Sequence, residues 1–309
     1  MLRWCFMFLL AAMARRYNIG IVAYAMMPTH LHIIVNPGED PDRPFDLPEF
    51  KKQLHANWAK IVNAYWDESG HVMCRDSVGD CIRIVDDVSE LQQLSYVELN
   101  GVAAGMGRRP EDMKGAFSQR RWLTHPKVVS RPPFWFQERT WADTETLQLC
   151  VPKLHQQRGI DRETFREISQ KRLLKDLKKI RRRVKKSGKR VRTLRELERL
   201  KPVPKHDKSA ADHSQAHLVG QDTTLKADEY HKLEAFWAWH DDSLRRAREG
   251  EEDVVFPPGT YKAAKKYGAK VASVEYYSAK VRRRDEGRLE EKYELRIANN
   301  AARSPVKTE

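Results

Sequence analysis

The chain has 309 residues, 40% hydrophobic and 32% charged, which is enough material for one large domain or two smaller ones with hydrophobic cores. Its 57 lysine and arginine residues outnumber 43 acidic residues, and the net charge of +14 favours a polyanionic partner, most commonly nucleic acid. The cysteines lack Cys-x-x-Cys spacing, which argues against a structural zinc site and predicts reduced thiols in a cytoplasmic protein; they are Cys5, Cys74, Cys81 and Cys150.

An apolar run, Trp4–Met13, lies at the beginning of the chain. It superficially matches a secretory signal with small residues at its end, but it is too short to span a bilayer. We favour an amphipathic helix that packs on a sheet, because a predicted strand, Ile19–Tyr24, follows at once.

A tight β-hairpin is predicted over Tyr24–Val35, with the break at Pro28-Thr29 and a buried strand from His30 to Val35. Side chains on a strand alternate between its two faces, so His30 and His32 project side by side. Two neutral imidazoles in that arrangement can share one metal ion, although a His-x-His strand alone is a weak signal.

Two helices and a short strand follow the hairpin. The first helix begins near Pro48 and continues to Tyr65, with apolar residues at helical spacing. After a strand at Ile82–Val85, the capping residues of 86–90 begin a second helix, which we expect to end at Gly101.

On this second helix, Tyr96 and Asn100 are four residues apart and therefore lie on the same face. A tyrosine hydroxyl, whose ordinary pKa is about 10, is a poor nucleophile near neutral pH unless a cation stabilises the developing charge. The hairpin imidazoles could hold that cation, with the Asn100 carbonyl as a third, hard ligand suited to Mg²⁺ or Mn²⁺.

The rest of the chain divides by composition. We predict an irregular aromatic and proline-rich connection over residues 126–160. Residues 161–201 contain 18 basic and 6 acidic residues, a net charge of +12, and we predict basic helices there, interrupted at Ser187-Gly188. A linker is expected over 202–227 and a helical region with a disordered tail over 228–309. The basic segment fits either a solvated helix face or a DNA-binding surface, whose densest candidates are Arg181, Arg182, Arg183, Lys185 and Lys186.

Two motifs in this order resemble a known family. Met27-Pro-Thr-His-Leu-His-Ile-Ile-Val35, followed by Tyr96-Val-Glu-Leu-Asn-Gly-Val-Ala-Ala-Gly105, is similar to the motifs of the REP-associated tyrosine transposases, a branch of the single-tyrosine HUH transposases. In that family Met-Pro-Asn precedes a His-hydrophobic-His motif, and the nucleophile begins a Tyr-x-x-x-Asn-Pro-Val-x-Ala-Gly segment. The resemblance covers residues 17–125, and we take residues 1–125 as the transposase domain.

The resemblance implies that His30 and His32 bind the metal, that Asn100 is the third ligand and that Tyr96 is the nucleophile. The implied reaction is the cleavage and rejoining of single-stranded or hairpin DNA through a 5′-phosphotyrosine, with a 3′-hydroxyl as the leaving group. The implied fold is α+β, an antiparallel sheet with flanking helices in the palm-like HUH arrangement, extended here by a largely helical, basic C-terminal region.

This sequence departs from the family pattern in four ways. Thr29 replaces an asparagine, Gly101 replaces a proline, and Ala103 stands where an arginine is common. Relatives also have a strand and a helix before the hairpin, whereas this chain begins within that helix. The resemblance therefore implies a sheet without its first strand, because either the start is misplaced or the copy is truncated.

Other interpretations stay open at this point. The chain could be a catalytically inactive or domesticated DNA-binding relative, or an unrelated His-x-His metallohydrolase, and the sequence does not distinguish a monomer from a homodimer. Tyr24 and Tyr65 compete with Tyr96 as the nucleophile, and His55 fits a surface or core position better than a ligand. Some aromatic residues fit core packing better than base stacking: Trp122, Phe134, Trp135 and Trp141.

Overall fold

The computed structural model describes residues 1–27, 30–38, 40, 42–43, 45–70, 72, 81–113, 115–188, 196 and 218–273. Helices and small sheets are mixed along these residues, which confirms the α+β class. The chain divides into two compact units, Met1–Asp222 and Thr223–Glu309. The predicted turn at Pro28-Thr29, nearly all of the 189–217 segment and the tail after residue 273 lie outside the described residues.

The described residues contain helices and short strands in the following order along the chain. The helices are α1 (Leu2–Arg16), α2 (Leu47–Trp66), α3 (Asp87–Ala103), α4 (Lys153–Gln157), α5 (Arg162–Lys186), α6 (Thr223–Arg248) and α7 (Tyr261–Lys266). The strands are β1 (Ile19–Met26), β2 (Leu31–Pro37), β3 (Arg83–Ile84), β4 (Lys127–Ser130), β5 (Thr144–Leu147), β6 (Leu218–Val219), β7 (Val255–Phe256) and β8 (Lys270–Val271). In the described residues, β1–β2 and β4–β5 pair antiparallel, and β3–β6 and β7–β8 pair parallel.

Helix α1 is the centre of the first unit. Every side chain from Cys5 to Ala14 is buried, so the expected amphipathic helix is wrong. The reason is that α1 packs against α2, β1, β4 and β5, which leaves it without a solvent face. The Trp4 indole donates a hydrogen bond of 2.7 Å to the Ser130 carbonyl. No helix among the described residues is both long and apolar enough to cross a membrane.

The β1–β2 hairpin carries the predicted imidazoles. Its register sets Ala25 opposite His32, and a bulge interrupts the pairing between Ile21 and Ala23. On its other side β1 forms single bridges to Phe117 and Leu149. Among the described residues, β2 pairs only with β1, so β2 is an edge strand.

Helix α3 is longer than predicted, because it continues through Gly101 to Ala103. A Cβ atom at Gly101 would lie 2.7 Å from the Met113 sulfur and 3.2 Å from the Phe117 ring. Glycine therefore serves here to let the helix approach its neighbours closely rather than to end it. The chain turns away at Gly105, which adopts a φ of 76°.

Residues 126–160, predicted to be irregular, contain the β4–β5 hairpin and α4. The aromatic residues around them pack inward: Trp122 stacks on Tyr24, and Phe136 and Trp141 pack on Phe8. This packing supports the core role that the sequence favoured for the aromatic residues.

The second unit is organised on the C-terminal part of α6. Val254, Phe256 and Ala264 form its small buried cluster. The Trp239 indole and the Ser243 hydroxyl both donate hydrogen bonds of 3.0 Å to the Val255 carbonyl. These bonds attach β7 to the helix.

Asp86 connects the beginning of α3 to the chain after β6. Its carboxylate accepts hydrogen bonds from the backbone N–H groups of Ser89, Gln221 and Asp222, so it caps α3 and holds the chain after β6. Burial raises the pKa of Asp86, but these donors outweigh burial and the net pKa lies below its usual value. We expect Asp86→Ala to lower the free energy of unfolding by about 1–2 kcal/mol, measured by urea denaturation.

The pH dependence gives a second readout of the same carboxylate. Because its pKa is lower in the folded state, the stabilisation is present above the ordinary aspartate pKa and is lost as pH falls through the lowered value. We expect Asp86→Asn to reduce the loss of stability between about pH 5 and pH 3. An acid-unfolding profile identical to that of the wild type would contradict this role for Asp86.

Candidate functional site

The two predicted metal-binding histidines lie together at the start of β2. His30 precedes the strand and is exposed, whereas His32 lies within it and is half-buried. Their ring centroids are 4.7 Å apart with an interplanar angle of 81°. The alternation of the strand therefore presents two imidazoles side by side, as predicted.

The environment of His32 favours a neutral ring. Burial lowers the pKa of His32, and the nearby His30 lowers it further. Its Nε2 atom is buried and has no hydrogen-bond partner among the described residues. A neutral imidazole with an unused, desolvated nitrogen fits a metal ligand, since metal binding requires the deprotonated ring.

Tyr96 reaches the same place from α3. Its ring contacts the ring of His32, with centroids 5.4 Å apart and an interplanar angle of 75°. The side chain is 54% exposed, although the helix around it is largely buried. Tyr96 is therefore both adjacent to the imidazoles and accessible to a large substrate.

Asn100 lies one turn further along α3 and is half-buried. It shares the helix face of Tyr96 because residues four apart lie one above the other. Within the described residues, His, Cys, Asp and Glu side chains form no cluster of three that could hold a metal ion. A cation bound by His30 and His32 would thus need the Asn100 amide oxygen, water or substrate oxygens to complete its coordination.

A nearly buried ion pair and a buried carboxylate–imidazole contact position α3, and neither was predicted from the sequence. Arg120 forms an ion pair with Glu98 and also donates to Gln170 of α5, at 3.3 Å. Near the beginning of α3, the Glu90 carboxylate lies 2.7 Å from the Nδ1 atom of His155. One signal was available: Glu98 falls four residues after buried Leu94, so it interrupts an apolar stripe with a charge.

The competing residues lie elsewhere or are unsuitable. Tyr24 is fully buried, and burial raises the pKa of its hydroxyl. Tyr65 packs instead against Trp66 and Phe134. His55 lies half-buried on α2, consistent with the core or surface position that the sequence favoured.

The predicted DNA-binding residues occupy the last turns of α5. Arg181, Arg182, Arg183, Lys185 and Lys186 are all exposed. The Arg181 guanidinium donates to the Arg108 carbonyl at 2.9 Å, so this residue also contributes to packing. The other four add positive charge at the C-terminal end of α5, where it is favourable next to the negative end of the helix dipole.

The Glu98–Arg120 pair leads to a prediction about how α3 is held. Both side chains are nearly buried, with 4% and 11% exposed. We expect Glu98→Gln to destabilise the fold by about 3 kcal/mol, because it leaves the Arg120 charge buried without a counter-ion. In contrast, Glu163→Gln removes an exposed ion pair with Arg166 and should change stability little, as measured by thermal or urea unfolding. Equal losses in the two variants would contradict this account.

Comparisons of the chain with protein-family models, with curated protein sequences and with solved structures found no match.

Proposed function

We propose that this chain is a metal-dependent, single-tyrosine DNA strand transferase of the type that its two motifs resemble, the HUH transposases. The observation that carries the proposal is the series of ring contacts from His30 to His32 to Tyr96. These residues come from two motifs that are far apart in the sequence, and the resemblance implies a role for each of them. The proposal includes a palm-like HUH arrangement for the α+β core.

The proposed metal would be held by the imidazoles of His30 and His32 and the amide oxygen of Asn100. A bound Mg²⁺ or Mn²⁺ supplies positive charge that neutralises a phosphate and lowers the barrier to nucleophilic attack. The unpartnered, buried Nε2 atom of His32 supports this assignment, because leaving such an atom unsatisfied is costly.

In the proposed reaction, the Tyr96 phenolic oxygen attacks a phosphorus atom of single-stranded DNA. The tyrosine O–P bond forms, the phenolic proton passes to solvent, and the bond from phosphorus to the 3′-oxygen breaks. The 3′-oxygen leaves and takes up a proton as a 3′-hydroxyl, while the 5′-phosphate stays on Tyr96. The attack of a 3′-hydroxyl on this phosphotyrosine reverses the step and rejoins DNA without an external energy source.

Metal binding gives the first test. We expect Mn²⁺ binding, measured by calorimetric titration of the full chain, to weaken by about tenfold or more in His32→Ala, which removes a ligand. The matched control is His55→Ala, since His55 is also half-buried with an unpartnered Nδ1 atom among the described residues. An equal effect of the two substitutions, or none of either, would count against the metal site.

The covalent intermediate gives the second test. With Mn²⁺ and a single-stranded DNA carrying a hairpin, we expect a protein–DNA adduct that survives denaturing electrophoresis. Tyr96→Phe should abolish the adduct by removing the attacking oxygen, whereas Tyr65→Phe, which changes an exposed tyrosine on α2, should retain it.

Three outcomes would contradict the proposal in different ways. An adduct that persists in Tyr96→Phe would exclude this residue as the nucleophile. DNA binding by the wild-type chain without an adduct would favour a catalytically inactive, DNA-binding relative. Metal-dependent cleavage with no covalent intermediate would favour a metallohydrolase.

A further inference from the structure

Helix α5 has one face that packs and one that does not. Phe165, Ser169, Leu173 and Leu177 are buried at intervals of four residues, and α5 uses this seam to pack against α3. The helix is therefore anchored along the same element that carries Tyr96. Its opposite face is exposed.

The exposed face is strongly basic. Six basic side chains lie within roughly 60° of the direction opposite to the buried seam, at 3.6 residues per turn. We call them the basic face: Lys171, Lys175, Lys178, Arg182, Lys185 and Lys186. Arg181 and Arg183 lie at the flanks of the helix, closer to the seam than these six residues. The basic face therefore differs from the dense run of charge between Arg181 and Lys186.

Little negative charge opposes this face. From Lys171 to Lys186 the only acidic residue is Asp176, which is half-buried beside the seam and pairs with Arg172 and Lys179. Among the described residues, no carboxylate forms an ion pair with any member of the basic face. Four members of the basic face also line one open surface depression: Lys171, Lys175, Lys178 and Arg182.

The spacing fits a polymer with regularly repeated charges. Lys171, Lys175, Lys178, Arg182 and Lys186 follow one another at three or four residues, which places successive charges about 4.5–6 Å apart along the helix axis. The row extends for about 22 Å, long enough to contact several phosphates of one strand. Each such contact releases counterions and adds affinity without reading the base sequence.

Other polyanions fit this surface less well. Protein interfaces concentrate their binding energy in buried aromatic and apolar anchors, and the only large apolar side chain exposed between Lys171 and Lys186 is Leu174. A helix that lies on a membrane inserts an apolar face, whereas the apolar face of α5 is already buried against α3.

We propose that the basic face of α5 is a binding site for the sugar–phosphate backbone of single-stranded DNA, outside the Tyr96 centre. The identity of the nucleic acid as DNA rests on the proposed function, whereas the phosphate-binding surface rests on α5 alone. This surface adds salt-dependent affinity and holds the strand while Tyr96 acts on one of its phosphates.

The test compares two variants with the same change in charge. Lys171→Gln/Lys175→Gln/Lys178→Gln removes three charges from the basic face. The control, Lys60→Gln/Lys127→Gln/Lys153→Gln, removes three exposed lysines from α2, β4 and the first turn of α4. Binding of a fluorescent single-stranded oligonucleotide to the full chain is measured by anisotropy over a series of NaCl concentrations, without divalent metal. Thermal melting checks that both variants are folded.

We expect the basic-face variant to bind about 10- to 100-fold more weakly near 0.1 M salt, with a slope of log affinity against log salt that is shallower by about 2 for three lost phosphate contacts. The control should keep a slope close to that of the wild type. Equal slopes in the two variants would overturn the proposal, and binding of an acidic peptide to the basic face in place of DNA would do the same.

The binding titration and the adduct assay together separate failure of the phosphate-binding surface from failure of the proposed function. Loss of binding in the basic-face variant, together with no Tyr96 adduct in the wild type, would support the surface and refute the strand transferase. A wild-type adduct together with equal binding by the two variants would refute the surface and leave the strand transferase intact.

Discussion

The arrangement of the site depends on the hydrogen bonds and the ion pair made by three buried carboxylates, two on α3 and one at its N-cap. Asp86 bonds to the chain after β6, Glu90 to the backbone and ring of His155, and Glu98 to Arg120. A buried acid must be paired or hydrogen-bonded, because its desolvation is otherwise very costly. Each carboxylate therefore tolerates few positions of its partner, and together they limit the movement of the helix that carries Tyr96.

The hairpin is held by a different kind of interaction. Strand β1 packs on α1, whose side chains from Cys5 to Ala14 are all buried, and bridges to Phe117 and Leu149. Close packing in an apolar core leaves little freedom to the strand backbone. The imidazoles of the hairpin and the tyrosine on α3 thus project from two well-packed elements, which favours the positional precision that the proposed covalent step would need.

The distribution of charge in the first unit reflects the burial of acidic residues in such pairs. Acidic residues such as Glu90, Glu98 and Glu145 are used inside the first unit, where they pair with basic or imidazole groups. The lysine and arginine residues of the basic face of α5 remain exposed, so positive charge is concentrated outside while part of the negative charge is buried. A net charge of +14 consequently understates the positive potential at the surface of α5.

The sequence by itself determined the local features of the site. Strand alternation put His30 beside His32, helical spacing put Tyr96 above Asn100, and Ser187-Gly188 marked the end of α5. Such features depend on periodicity and turn chemistry within a few residues, and these can be read from a single chain.

Only the tertiary structure decided how these pieces meet. The contact of His32 with Tyr96, the burial of α1 on every side and the pairing of Glu98 with Arg120 all join segments distant in the sequence. The local sequence predicts a helix break at Gly101, because the residue that requires its small size, Met113, lies outside the helix. Long-range packing of this kind outweighs local propensity, since burial and satisfied charges contribute more free energy than the intrinsic preference of one residue.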